Sequence, residues 1–136
     1  MKISEIFHGI AIFALLTVSA VAREPVTSLK DLAALETRTA TLVKRTMPAT
    51  VAILSPSSGA SGSGVIVDKD GLILTAAHVT DGAEEVDIVF PDGKQTKAKV
   101  LGSNYSKDAG MAQIVDPGPW PFVELGESGT LKAGDW

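Results

Sequence analysis

The chemistry legible in this chain rests on an imidazole and a carboxylate set 30 positions apart. His78 lies in Thr75-Ala76-Ala77-His78-Val79, directly after the apolar run Leu72-Ile73-Leu74, and Asp108 follows in Ser106-Lys107-Asp108. The other histidine, His8, sits in an apolar leader. Imidazole is the side chain best suited to proton transfer near neutral pH. A carboxylate on one ring nitrogen fixes the tautomer and leaves the other nitrogen free to take a proton from a nucleophile. His78 and Asp108 thus suggest two thirds of a nucleophile–histidine–aspartate system, and the nucleophile has to be sought. Asp87 and Asp116 are the rival carboxylates, and both read as exposed strand or turn residues.

The leader bounds where such chemistry would take place. Lys2 gives a weakly basic start, an apolar run spans 10–21, and Ala20-Val21-Ala22 has the small-x-small form of a signal-peptidase site. Residues 1–22 are therefore expected to be a signal peptide cut after Ala22, with an uncleaved membrane anchor as the alternative. The cut removes Lys2 and Glu5 together, so the net charge stays at −4. A mildly acidic chain without a Lys/Arg cluster offers no electrostatic footprint for nucleic acid. Zero cysteines exclude disulfides and thiolate catalysis. A single histidine beyond the leader leaves too few ligands for an ordinary zinc site, so no metal is expected.

The elements that must position His78 and Asp108 are short. Residues 23–27 read as a polar linker, and Ser28-Leu29-Lys30-Asp31 as a capping box with Asp in the reciprocal place. Leu29, Leu32, Leu35, Leu42 and Val43 recur near helical spacing, which predicts a helix over 29–45 that stops before Pro48. Thr37, Thr39, Thr41 and Thr46 weaken it through β-branched crowding. Beyond Pro48, strands are predicted at Thr50–Leu54, 64–67, Leu72–Thr75, 86–90, 96–101, 111–115 and 122–125. Asp68-Lys69-Asp70-Gly71 and Pro91-Asp92-Gly93-Lys94 are the turn signals between them. Many short strands at regular spacing predict an all-β barrel or sandwich. Lys94, Lys97 and Lys99 read as a solvated edge that discourages strand addition. Trp120, between Pro119 and Pro121, reads as a packed loop anchor, and Asp68, Asp70 and Asp81 as turn formers rather than calcium ligands.

Three separated stretches carry a family resemblance. Ser61-Gly62-Ser63-Gly64-Val65-Ile66-Val67, Gly71 to Val79, and Leu125-Gly126-Glu127-Ser128 through Gly134-Asp135-Trp136 resemble successive parts of the HtrA/Do (Deg) type of trypsin-like serine protease. The resemblance covers residues 48–136 and is strongest around His78. It implies a chymotrypsin-fold first barrel over 48–126, preceded by a lead-in helix within 23–47, with 127–136 starting the crossover to a second barrel. The chain then reads as the N-terminal part of an exported enzyme, cut off in mid-fold after Trp136.

The resemblance also assigns roles. His78 falls where the family has its general base, and Asp108 where it has the carboxylate that orients the histidine. One departure stands out: Ala109, Gly110 and Ala112 replace the family's larger aliphatic residues, so the strand is expected to be looser, with a bulge at Gly110. Gly126-Glu127-Ser128-Gly129 imitates the surround of a trypsin-like nucleophile, but it lies only 20 residues after Asp108 and coincides with the family's inter-barrel stretch. Ser128 is read as a turn residue, and Ser63 as a structural strand-entry serine. The serine and its oxyanion donors are expected in the second barrel, so these 136 residues alone are expected to be inactive. The full enzyme would hydrolyse peptide bonds in unfolded or damaged polypeptides, and the resemblance implies no cofactor and leaves room for a homo-oligomer. The alternative is a pseudoprotease module that binds polypeptide without cutting it.

Overall fold

The computed structural model describes residues 27–133. The leader expected at 1–22 and the end of the crossover at 134–136 lie outside the described residues.

The lead-in helix α1 spans Leu29–Thr46. The capping box closes as expected: Ser28 Oγ accepts from the Asp31 N–H at 3.2 Å, and the Asp31 carboxylate accepts from the Ser28 N–H at 2.9 Å. Thr37, Thr41 and Thr46 do not break the helix, because each turns its hydroxyl onto the carbonyl four residues earlier, at 2.8–3.0 Å. Pro48 stops the helix inside a 3₁₀ turn at Met47–Ala49. No residue of α1 is buried, so its apolar periodicity encodes a helix without a partner among the described residues. No described helix is long and apolar enough to cross a membrane.

Six antiparallel strands follow: β1 Thr50–Leu54, β2 Ser61–Ile66, β3 Leu72–Thr75, β4 Glu85–Val89, β5 Gln95–Asn104 and β6 Ala109–Ile114. They form a closed barrel in the order β1-β2-β3-β6-β5-β4, with β4 pairing back onto β1. Both turn signals work as read. Gly71 and Gly93 take φ of +93° and +86°, which only a residue without Cβ adopts cheaply, and the Asp68 carboxylate caps the N–H groups of Asp70 and Leu72.

Alternation places Val51, Ile53, Ile66, Ile73, Val86, Ile88, Ala98, Ala112 and Ile114 inside. Ile53, Ile66, Ile73 and Ile88 are fully buried, each worth about 1.5–3 kcal/mol relative to exposure. The interior is narrow at Gly64, where an added Cβ would meet Ile73 Cγ2 at 2.6 Å and Ile53 Cδ1 at 2.8 Å. Trp120 anchors its loop, 8% exposed, stacked on Phe90 at 5.2 Å and donating from Nε1 to the Asp116 carbonyl.

Two expectations are corrected. Closure leaves β5 paired on both sides, so Lys94, Lys97 and Lys99 do not guard an edge. Lys97 instead pairs across strands with Glu85 at 2.5 Å, and Lys94 lies 4.4 Å over the Trp120 ring. Residues 122–125 form no strand. Pro119 and Pro121 lack donors and the barrel is already closed, so the segment keeps one bond to it, from the Val123 N–H to the Ile66 carbonyl.

Candidate active site

His78 sits in the middle of a 3₁₀ turn at Ala77–Val79 that continues β3. Its neighbours Ala77 and Val79 point inward, at 0% and 3% exposure, while the His78 side chain is 72% exposed. Burying the residues on either side fixes the turn and throws the imidazole outward. Room for Val79 comes from Gly62, where an added Cβ would run into the Val79 side chain. Gly62 on β2 therefore makes room for the turn that carries His78. The backbone of the same strand holds Thr75, whose hydroxyl donates to the Ser63 carbonyl at 2.9 Å.

Asp108 ends the turn between β5 and β6, with φ +49°. The left-handed region costs an ordinary side chain about 1 kcal/mol, and Asp tolerates it better than most. The turn is held by the Lys107 and Asp108 N–H groups donating to the carbonyls of Asn104 and Tyr105. Asp108 reaches back to His78 through three contacts. Oδ1 accepts from the His78 backbone N–H at 3.1 Å, and Nδ1 lies 3.0 Å from Oδ1 and 2.8 Å from Oδ2. These contacts, led by the backbone N–H bond, hold the Asp108 carboxyl below the usual carboxylate range.

An ionised carboxylate only accepts, so the Nδ1 facing it must carry the proton in the neutral ring. Nε2 is then the basic nitrogen, and among the described residues it makes no hydrogen bond. An exposed imidazole with its basic nitrogen outward and its cation supported from behind can take a proton from a hydroxyl and return it.

The rival carboxylates are engaged elsewhere. Asp87 lies 3.6 Å from Lys97 Nζ, and Asp116 accepts from the Thr96 hydroxyl at 2.6 Å. Ser128 opens an exposed 3₁₀ turn at Ser128–Thr130, with Glu127 accepting from the Gly129 N–H, and forms no hydrogen bond to His78.

The small residues after Asp108 need a different explanation from a loose strand. A Cβ on Gly110 would lie 2.9 Å from Thr80 Oγ1 and 3.0 Å from the Ala76 carbonyl, so its absence lets β6 approach the His78 turn. The bulge is on the facing strand, between Val100 and Gly102, rather than at Gly110. Sequence reasoning missed Thr80, whose hydroxyl bonds the Ala77 carbonyl at 3.2 Å and Ser103 Oγ at 3.0 Å. A hydroxyl two residues after His78, beside a strand glycine, was the available signal.

A small closed β-barrel with an aspartate-backed histidine on its loops is the first-barrel architecture of trypsin-like peptidases. The chain belongs to that family, within its HtrA/Do-type serine proteases: the model for a trypsin-like peptidase domain matches residues 62–136. It is similar to the "Probable periplasmic serine endoprotease DegP-like" of Rickettsia conorii, 35% identical over 82 residues, covering 60% of this chain and 16% of that one. The protein of the same name from Pseudomonas savastanoi pv. phaseolicola is 43% identical over 75 residues, covering 55% and 15%. Among solved structures, the HtrA-type protease AlgW with tripeptide superposes with a TM-score of 0.64 at 32% identity, over 71% of this chain and 32% of that one. The chain thus spans about one sixth of the length of these curated relatives.

Proposed function

We propose that this chain supplies the general base and its orienting carboxylate to an exported serine endopeptidase. His78 takes the proton of a serine hydroxyl at Nε2 and returns it to the leaving amine, while Asp108 holds the Nδ1–H tautomer and supports the imidazolium. The observation that carries this reading is the carboxylate of Asp108 set 2.8 Å from Nδ1 while also bonded to the His78 backbone, an arrangement that fixes ring and tautomer together.

The serine and the oxyanion donors are proposed to lie outside these 136 residues, a reading supported by the absence of a Ser128–His78 hydrogen bond and by the one sixth of the curated relatives' length that the chain spans. The substrates are polypeptides, a reading supported by the names of the serine endoprotease relatives and by the tripeptide named with one solved relative. Export is supported by the leader at 1–22 and by the periplasmic designation of the relatives.

The test uses the chain together with the coding sequence downstream of Trp136. Casein cleavage is expected, with a loss of about 10⁴-fold or more in kcat for His78→Ala, as for removal of a triad base. If a serine-directed covalent probe leaves the extended protein unlabelled, the proposal fails and a non-catalytic polypeptide-binding module takes its place.

A further inference from the structure

The loop after β3 is bridged three times to the end of β5 and the turn that follows it. His78 meets Asp108, Thr80 meets Ser103 at 3.0 Å, and the Tyr105 hydroxyl donates to Asp81 Oδ1 at 2.7 Å. The outer two bridges are in step along the chain. Asp81 follows His78 by three residues, and Tyr105 precedes Asp108 by three, so two short backbone arcs and two side-chain bridges form a closed ring. Tyr105 is also tied to Asp108 within its own turn, because its carbonyl accepts the Asp108 N–H at 3.4 Å.

We infer that Tyr105 and Asp81 form a positioning clasp that holds the Asp108 carboxylate on His78 Nδ1. The inference rests on the proposed pairing of His78 with Asp108 and adds the means by which an exposed pair stays aligned. The side chains of His78 and Asp108 are 72% and 54% exposed, so solvent competes for both partners. Asp108 also sits on left-handed backbone at φ +49°, a conformation that persists when its surroundings over-determine it. A tyrosine bound to the opposite loop supplies such a constraint, because movement of the turn away from His78 would have to break the Tyr105–Asp81 bond as well. The retained proton on Tyr105, whose ionisation Asp81 disfavours by accepting its hydrogen bond, keeps the clasp closed across the neutral range. Neither residue touches the basic Nε2 of His78, so the role is positioning and not catalysis.

The test reads the tautomer of the neutral His78 ring by ¹⁵N NMR. It uses the full 136-residue chain carrying His8→Gln, so that one imidazole remains. In that chain the Nδ1–H form is expected to dominate. Tyr105→Phe, which keeps the ring and removes the hydroxyl, and Asp81→Ala are each expected to raise the ratio of Nε2–H to Nδ1–H by about 2–5-fold, the leverage of one net hydrogen bond. Asp81→Asn keeps an accepting oxygen and is expected to stay at the starting ratio. A change in global stability alone would not move this ratio while the amide spectrum remains dispersed. Unchanged ratios in both Tyr105→Phe and Asp81→Ala overturn the clasp and leave the pair standing. Absence of the Nδ1–H excess in the starting chain overturns the pair and the clasp together.

Discussion

Helix α1 and the barrel are held by opposite means. The helix has no buried residue and depends on bonds between neighbours in sequence: the Ser28–Asp31 box and threonine hydroxyls on carbonyls one turn back. The barrel depends on side chains brought together from across the sequence, with Ile53, Ile66, Ile73 and Ile88 excluded from solvent. Most helical stability in proteins comes from packing an apolar face, which α1 does not bury, whereas burial over a closed barrel is cooperative. The site belongs wholly to the second regime. His78 and Asp108 meet because two loops of the barrel converge, and α1 takes no part in their hydrogen bonds.

Substitutions should separate the two regimes. The largest effect is expected for Ile73→Ala, which empties the centre of the barrel and should cost about 2–5 kcal/mol in denaturant unfolding followed by tryptophan fluorescence. Gly64→Ala should cost about 1–3 kcal/mol in the same measurement, because its Cβ overlaps the ends of Ile73 and Ile53. If Gly64→Ala is neutral, the interior is less tightly filled than its distances indicate. Ser28→Ala should lower the helical signal in circular dichroism, at a cost of about 1 kcal/mol to α1, and leave barrel unfolding unchanged. A barrel that weakens with it would show that the two regions are coupled after all.

The smallest effect is a matter of pH. Asp108 is held below its ordinary carboxyl value of 3.8 in the folded chain, so its contribution to stability is present above that value. It is lost as pH falls through the lower folded value. Asp108→Asn should therefore flatten part of the acid limb of stability below about pH 4 and leave the neutral plateau shape unchanged. An acid limb identical in the two chains would mean that the carboxylate gains nothing from His78.

Much of this was legible in the sequence. All six strands and the helix are encoded by period, turn residues and caps, although the extension of β5 to Asn104 was hidden because Gly102 and Ser103 look like a turn. His78 and Asp108 could be singled out from residue type and surroundings. What could not be read was why the small residues cluster near them. Gly62 clears space for Val79, and Gly110 clears space for Thr80 and Ala76, contacts between residues at least 17 positions apart. Closure of the barrel was equally non-local, which is why Lys97 and Lys99, on a strand paired on both sides, and Lys94 in the turn before it resembled an edge. The segment 122–125 misled for the converse reason: its composition suits a strand, but the barrel closes without it and it keeps a single bond, from the Val123 N–H to the Ile66 carbonyl.

The central claim is that Asp108 dictates which nitrogen of His78 carries the proton, and replacing it by asparagine tests that claim directly. The His78 backbone N–H holds Oδ1 as an acceptor, so in Asp108→Asn the side-chain amide would stand where Oδ2 faces Nδ1 at 2.8 Å. Its N–H group would donate to Nδ1 and drive the proton to Nε2, the wrong tautomer for a base. ¹⁵N NMR of the neutral ring should show Nδ1–H in the parent chain and Nε2–H in Asp108→Asn. The same tautomer in both chains would contradict the account.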